Sequence, residues 1–313
     1  MATDYTKKGI PKMASLNTSE RNISTPASAR AYLVASTLLI LTGPDNAIAQ
    51  ENLQPPSVFE VMAGESRMIT ATTSYPVAVD FFIIRRGGKL VLDPTLEEFK
   101  ITARVGIFEE GASIIGVGQS YAGTAQAGAN GGNGGNCHTG KRAGDGAIGR
   151  NGLNGIPVSI EMGVKSFGSL LIDASGGDAE GGGRGGRGGT GGRADISEYC
   201  KGGSGGYGGR GGDGGRGGNG ASVSVTWWPV GDLPKNAFTG NNLNGLTILS
   251  EGGEGGALGP SGPGGSGGPS RCKKITFIKT CRGSGPTGTP GKQGSRGADG
   301  LGGEINVSRV ALP

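Results

Sequence analysis

Apolar and polar residues alternate over short segments that recur along the chain. These are VAVDFFIIRRGGKLVLD at 77 to 93, FKITARVGIFEEGASIIGVG at 99 to 118, PVSIEMGVKSFGSLLIDASGG at 157 to 177, SVSVTWWPV at 222 to 230, NGLTILSEGG at 244 to 253 and EINVSRVAL at 304 to 312. A period of two, with Val, Ile and Leu enriched, is the signal of a β-strand. Several segments share one form: a strand, a turn, then glycine and a second strand, as at Gly88 to Leu92, Gly168 to Ile172 and Gly245 to Leu249. Repetition of such units predicts an all-β base, either a β-solenoid or stacked β-sandwich repeats, with almost no α-helix. Neighbouring strand residues face opposite ways, so Trp227 and Trp228 are expected as core and edge of this base.

Between the strands the period changes from two to three. Glycine occupies every third position from 202 to 220, and a second glycine every third from 203 to 218. The same rule holds at 182 to 191, 146 to 155, 253 to 268 and 285 to 303, and over a shorter run at 128, 131 and 134. Three residues per turn is the geometry of a polyproline II helix, which rises about 3.1 Å per residue and has no internal hydrogen bonds. Buried amides must then find partners on neighbouring helices. The expected structure is a bundle of about six polyglycine II helices. A collagen triple helix is the rival user of this period, and GPTGTPGKQGSRGADG at 285 to 300 suits it. The stretch GGYGGRGGDGGRGGNG at 205 to 220 suits it less, with two glycines per triplet and no proline.

The runs come in pairs, 122–155, 176–220 and 253–303, and a cysteine-containing separator interrupts each pair. Paired runs of similar length read as hairpins with the separators as tips. If the hairpins stand side by side, their tips lie together at one end. Four cysteines allow three connectivities. The hypothesis favoured is Cys137 with Cys200, stapling the first two tips, and Cys272 with Cys281, closing the third on itself.

The ends of the chain bear on where it works. The run AYLVASTLLILTG at 31 to 43 follows Lys7, Lys8, Lys12, Arg21 and Arg30 and precedes Asn46-Ala47-Ile48-Ala49. That order predicts a secretory signal peptide over 1–49, with Met1 or Met13 as its start and cleavage after Ala49. The run is too short for a transmembrane anchor. Residues 50–121 are then an N-terminal β region and 122–313 the hairpins alternating with strands. Export suits disulfides and disfavours nucleic acid as the partner, although arginine spaced by glycine also occurs in RNA-binding tails. The net charge is +5, and the first 49 residues hold five basic and three acidic side chains, leaving +3. That balance is too mild to name a partner.

Glycine supplies 69 of 313 residues, about three times the usual share. Runs paired through loops in this way, over 122 to 303, resemble the receptor-recognising tip proteins on tail fibres of T-even-like phages. With a signal peptide in front, the nearer resemblance is to glycine-rich, collagen-like secreted surface proteins of bacteria. Those resemblances imply a recognition or structural role at a cell surface, with loops at the end of a glycine bundle making contact. Glycine bundles of snow-flea antifreeze proteins are also similar, but ice-binding faces are flat and uncharged, whereas Arg184, Arg187, Arg210, Asp213 and Arg216 stand in the third positions here.

Chemistry concentrates at the tips. They carry Lys141, Arg142, Arg193, Lys201, Arg271, Lys273, Lys274, Lys279 and Arg282 against Asp145, Asp195 and Glu198. Loops on a rigid scaffold are where binding residues gather, and a cluster of one sign attracts the other. The candidate ligand-binding residues are His138, Lys141, Arg142, Tyr199, Lys201, Lys273, Lys274, Phe277 and Lys279, and the expected partner is an anionic surface glycan or cell-envelope polymer. Solubilising a glycine bundle is an equally simple use for such charge. In the run at 205 to 220, Arg210, Asp213 and Arg216 fall in one column and predict an ion-pair row. The sequence offers no catalytic constellation, and with one histidine, His138, and widely spaced cysteines no metal or cofactor site. An adhesin and a structural matrix or filament component are the two functional readings, and the sequence sets no oligomeric state.

Overall fold

The alternating segments do form strands, and more of them than the pattern predicts. A computed structural model describes residues 56–72 and 78–311; the apolar run at 31–43 and the cleavage site after Ala49 lie outside the described residues. The strands are β1 (Val58–Val61), β2 (Ser66–Ile69), β3 (Ala78–Ile84), β4 (Lys89–Leu92), β5 (Phe99–Phe108), β6 (Ala112–Ile115), β7 (Val158–Phe167) and β8 (Leu170–Asp173). They continue with β9 (Val223–Pro229), β10 (Phe238–Thr239), β11 (Asn242–Leu243), β12 (Leu246–Leu249), β13 (Arg271–Ile275), β14 (Ile278–Arg282) and β15 (Ile305–Arg309). A single 3-10 turn, Lys235–Ala237, is the one helical element among the described residues.

Two sheets, each entirely parallel, hold most of these strands. One runs β1-β3-β5-β7-β9-β15 and the other β2-β4-β6-β8-β12, so the chain alternates between sheets as it proceeds. The strands of 50–121 therefore share both sheets with the later ones, and residues 54–313 form one unit. Corners between successive strands are tight: Gly87 and Gly111 have φ of +64° and +76°, a left-handed conformation that glycine adopts without a Cβ penalty. Side chains facing inward from both sheets form one apolar cluster. Its spine is a ladder of rings, Phe59, Phe82, Phe108 and Phe167, with centroids 5.4 to 5.8 Å apart. Trp227 is fully buried and donates from Nε1 to the Asn241 carbonyl at 2.8 Å, while Trp228 is half-buried, as expected of core and edge.

The glycine runs leave one sheet and return to the other. Outbound limbs 116–134, 174–194 and 250–268 follow β6, β8 and β12; return limbs 140–156, 202–221 and 283–303 lead into β7, β9 and β15. Backbone hydrogen bonds recur every third residue. Outbound limbs bond one to the next, as in Gly128 N–H to Arg184 O at 2.8 Å and Gly185 N–H to Pro260 O at 2.9 Å. Return limbs do the same, as in Gly146 N–H to Arg210 O and Gly208 N–H to Thr289 O. Between these two layers, Gly186 donates to Gly144, Gly209 to Gly186, Gly262 to Gly209 and Gly291 to Gly262.

This arrangement explains why some triplets need two glycines and others one. Limbs 174–194 and 202–221 each bond to four neighbours and hold long runs with two glycines per triplet; limb 250–268, with three neighbours, pairs its glycines in part. Limb 283–303 lies at an edge and bonds to 202–221 and 250–268 only, so one glycine per triplet suffices and Pro286 and Pro290 are tolerated. The collagen-like composition of 285–300 thus marks an outer limb of the same chain. Non-glycine residues place their N–H groups on the outer faces, where carboxylates and amides of the neighbouring limb accept them. Asn130 accepts from Arg187, Asn133 from Thr190, Asp145 from Arg210, Asn151 from Arg216 and Asp213 from Ser295, at 2.6 to 3.0 Å. These side chains satisfy amides that would otherwise rely on water alone.

Candidate functional site

The three tips meet at one end of the limbs. Cys137 in the first is disulfide-bonded to Cys200 in the second, with Cα atoms 5.9 Å apart across 63 residues. In the third, Cys272 is bonded to Cys281, which faces it directly across the β13–β14 ladder. The third separator, expected only as a tip, is therefore a β-hairpin of its own. Its strands place Lys274 opposite Lys279 and leave Thr276 and Phe277 at the turn.

Asp195 ties the tips together. Its carboxylate accepts from Ser197 N–H at 2.8 Å and from Ser197 Oγ within its own tip, from Asn136 Nδ2 of the first tip at 3.4 Å, and from Arg271 Nη1 of the third at 3.3 Å. The hydrogen bonds from Ser197, with smaller help from Glu198 N–H and the Arg271 charge, hold its pKa below the ordinary carboxylate value. A second link runs beside it: the Arg282 guanidinium lies over the Tyr199 ring, 4.8 Å from its centroid. Backbone bonds from Ala194 to Pro269 and from Gly202 to Gly283 close the junction.

Among the described residues, the only non-glycine positions with left-handed φ are Cys137 at +61°, Tyr199 at +52° and Thr276 at +53°, one in each tip. Such a conformation costs about 1–3 kcal/mol and persists where the surroundings impose it. Here the imposing contacts are the disulfides, the carboxylate hub and the hairpin ladder.

The candidate ligand-binding residues divide into two groups. His138, Tyr199, Lys201, Lys273, Lys274, Phe277 and Lys279 are exposed on the tips, Tyr199 by 77% and Phe277 by 95%. Lys141 and Arg142 instead sit on the return limb below the first tip. Lys141 donates its backbone N–H to Gly132 O, and Arg142 pairs with Asp145 at 3.2 Å. The acidic residues counted at the tips are also largely committed, Asp145 to Arg142 and Asp195 to Arg271. Lys201, Lys273, Lys274, Lys279 and Arg193 make no ion pair among the described residues, so the excess positive charge of the tips is carried by side chains without an acidic partner.

Glu198 approaches the Cys137–Cys200 bridge, with a carboxylate oxygen 3.7 Å from Cys137 Sγ. Both sulfurs are committed to the disulfide, which leaves no thiolate for a metal. The ion-pair row expected on 202–221 is half made: Arg210 bonds Asp213 at 2.7 Å, and Arg216 has no acidic partner among the described residues. Sequence reasoning missed the role of Asp195, which reads as one solvated acid in RADISEYCK. Its partners lie 59 and 76 residues away, and no local signal marks them.

Comparison with protein-family models, curated protein sequences and solved structures finds no match for this chain.

Proposed function

We propose that this protein is an exported, non-enzymatic recognition protein of the adhesin kind, which presents a basic surface to an anionic glycan or envelope polymer. In this reading the two sheets are the successive coils of one β-solenoid. The six limbs are polyglycine II helices whose bundle holds the tips away from the base. The alternation of consecutive strands between two parallel sheets supports the first part, and hydrogen bonding at every third residue supports the second. Two disulfides favour an oxidising compartment, and no helix among the described residues is long and apolar enough to cross a membrane.

The observation that carries the functional reading is the tip junction. Three segments distant in sequence are cross-braced by Cys137–Cys200, Asp195 and the Arg282–Tyr199 stack, and the braced surface displays unpaired lysines beside exposed Tyr199, Phe277 and Ile278. A merely solubilising surface needs charge and has no use for large exposed apolar side chains. Replacing Lys273, Lys274 and Lys279 together by Gln is expected to lower binding to acidic polysaccharide at least tenfold. Unchanged binding would remove the tips from the account.

A filament component is favoured by one separate observation. Among the described residues both sheets end in strands paired on one side only, β1 and β2 at one end and β12 and β15 at the other, with Val58, Met68, Leu249 and Ile305 exposed along them. Concentration-dependent polymerisation in sedimentation experiments would support that reading; a monomer at all concentrations would refute it.

A further inference from the structure

Three arginines on the glycine limbs pair with an acid one turn ahead, whereas Arg184 meets a like charge there. One turn of a three-residue helix separates positions i and i+3, and at that spacing Arg142 meets Asp145, Arg210 meets Asp213 and Arg296 meets Asp299, at 2.7 to 3.2 Å. On the central outbound limb, position i+3 from Arg184 holds Arg187. Neither has an acidic partner among the described residues, and both are exposed.

The column continues to the tips. Carbonyls of Arg184, Arg187, Thr190 and Arg193 accept in turn from Gly128, Gly131, Gly134 and Cys137 N–H groups, at 2.8 to 2.9 Å. Equivalent hydrogen bonding gives the four residues equivalent orientation, so three arginines and one threonine project from the same face. At about 3.1 Å per residue the row is roughly 28 Å long, with arginines about 9 Å or twice that apart. A groove of about 320 Å³ runs beside Arg184 and Arg187, floored by Gly185 and Gly186 and walled by Asn130 and Pro263. Acidic residues of this face, Asp178 and Glu254, lie toward the sheets, adjoining a separate groove. The half nearer the tips is left uniformly basic.

We propose that this face is a second binding site, a linear track for an extended anionic polysaccharide, along Arg184, Arg187 and Arg193. The inference rests on the recognition reading for the class of polymer but not for its place on the molecule. A narrow row of guanidiniums at a long, regular spacing suits a thin chain whose charges are spread along it. Asn130 and Pro263, both exposed beside the row, offer a polar and an apolar contact to a sugar. Single-stranded nucleic acid is held by stacking aromatics, which the row lacks.

Size-defined heparin oligosaccharides are a suitable probe, titrated by fluorescence anisotropy against the full chain, R184Q/R187Q and K273Q/K274Q/K279Q. Affinity for the unaltered protein is expected to rise with oligosaccharide length until about 28 Å is spanned, then level off. R184Q/R187Q should bind at least tenfold more weakly, with the slope of log affinity against log salt reduced by about two, while its melting temperature stays unchanged. Loss in the lysine variant alone would overturn the track and keep the tips. Loss in the arginine variant alone would keep the track and overturn the tips. Failure of the unaltered protein to bind, or equal binding of a single-stranded oligonucleotide, would overturn the polysaccharide assignment for both.

Discussion

Gly209 sits where three limbs converge, and replacing it by alanine measures how closely they approach. A Cβ there would fall on the Gly144 carbonyl oxygen, with the Gly186 nitrogen only 2.9 Å away. Both neighbours are backbone and cannot swing aside, so limbs must separate by about 1 Å or more to restore contact distance. Three hydrogen bonds are lengthened by that movement: Gly209 N–H to Gly186 O at 2.9 Å, Gly262 N–H to Gly209 O at 2.9 Å and Gly146 N–H to Arg210 O at 2.8 Å. At about 1 kcal/mol each the loss is about 3 kcal/mol, offset by up to about 1 kcal/mol from the stiffer unfolded chain. Gly209→Ala should therefore lower the melting temperature by roughly 5–10 °C for a unit of this size. Gly132 is the control, because its Cβ would meet only Lys141 Cδ at 3.6 Å, and Gly132→Ala should be neutral or slightly stabilising. Circular dichroism melts of both variants provide the assay. Melting temperatures within about 1 °C of each other would refute the close approach of limbs argued from the structure.

Two further consequences concern the tips. In the chain-entropy relation, the 63-residue span of Cys137–Cys200 restrains the unfolded chain by about 4 kcal/mol, and the 9-residue span of Cys272–Cys281 by about 2.5 kcal/mol. Thermal melts should thus show a larger fall for C137A/C200A than for C272A/C281A; the reverse order would contradict the stapling role. Because the folded-state pKa of Asp195 is lowered, its stabilising contribution is complete above the ordinary value of 3.8 and is lost as pH falls through the depressed one. Asp195→Asn should therefore melt lower than the unaltered protein at neutral pH, and the gap should narrow as pH drops below about 4; a gap that stays constant from pH 7 to 2 would refute the hub.

Much of the fold is written in short periods. Strands β3 to β9 with β12 and β15 follow the alternation of apolar residues, and the pairing of glycine runs, with tips between, follows from the matched lengths of those runs. β1 and β2 escaped notice because exposed Val58 and Met68 and the polar Glu60, Ser66 and Arg67 blur the apolar alternation in them. β13 and β14 read as a charged loop, since the segment is rich in lysine and exposes Phe277 and Ile278, so no apolar alternation marks it. The strand alternation between sheets depends on parallel pairing across tens of residues, which no local pattern records. At the site, the basic residues were legible, while their bracing was not: Asp195, Arg271 and Asn136 are brought together only by the stacking of hairpins. The difference between paired and unpaired arginines likewise becomes visible once limb registers are known, although the spacing of Arg184 and Arg187 stands in the sequence.

Under the proposed function an anionic polymer binds at the tip end of the limbs and not at the β base. Lysine acetylation footprinting, with and without heparin and read by mass spectrometry, tests it on the unaltered protein. Protection of Lys201, Lys273, Lys274 and Lys279 is expected, with Lys89, Lys165 and Lys235 on the base modified as fast as in the free protein. Protection of the base lysines, or of none, would contradict it.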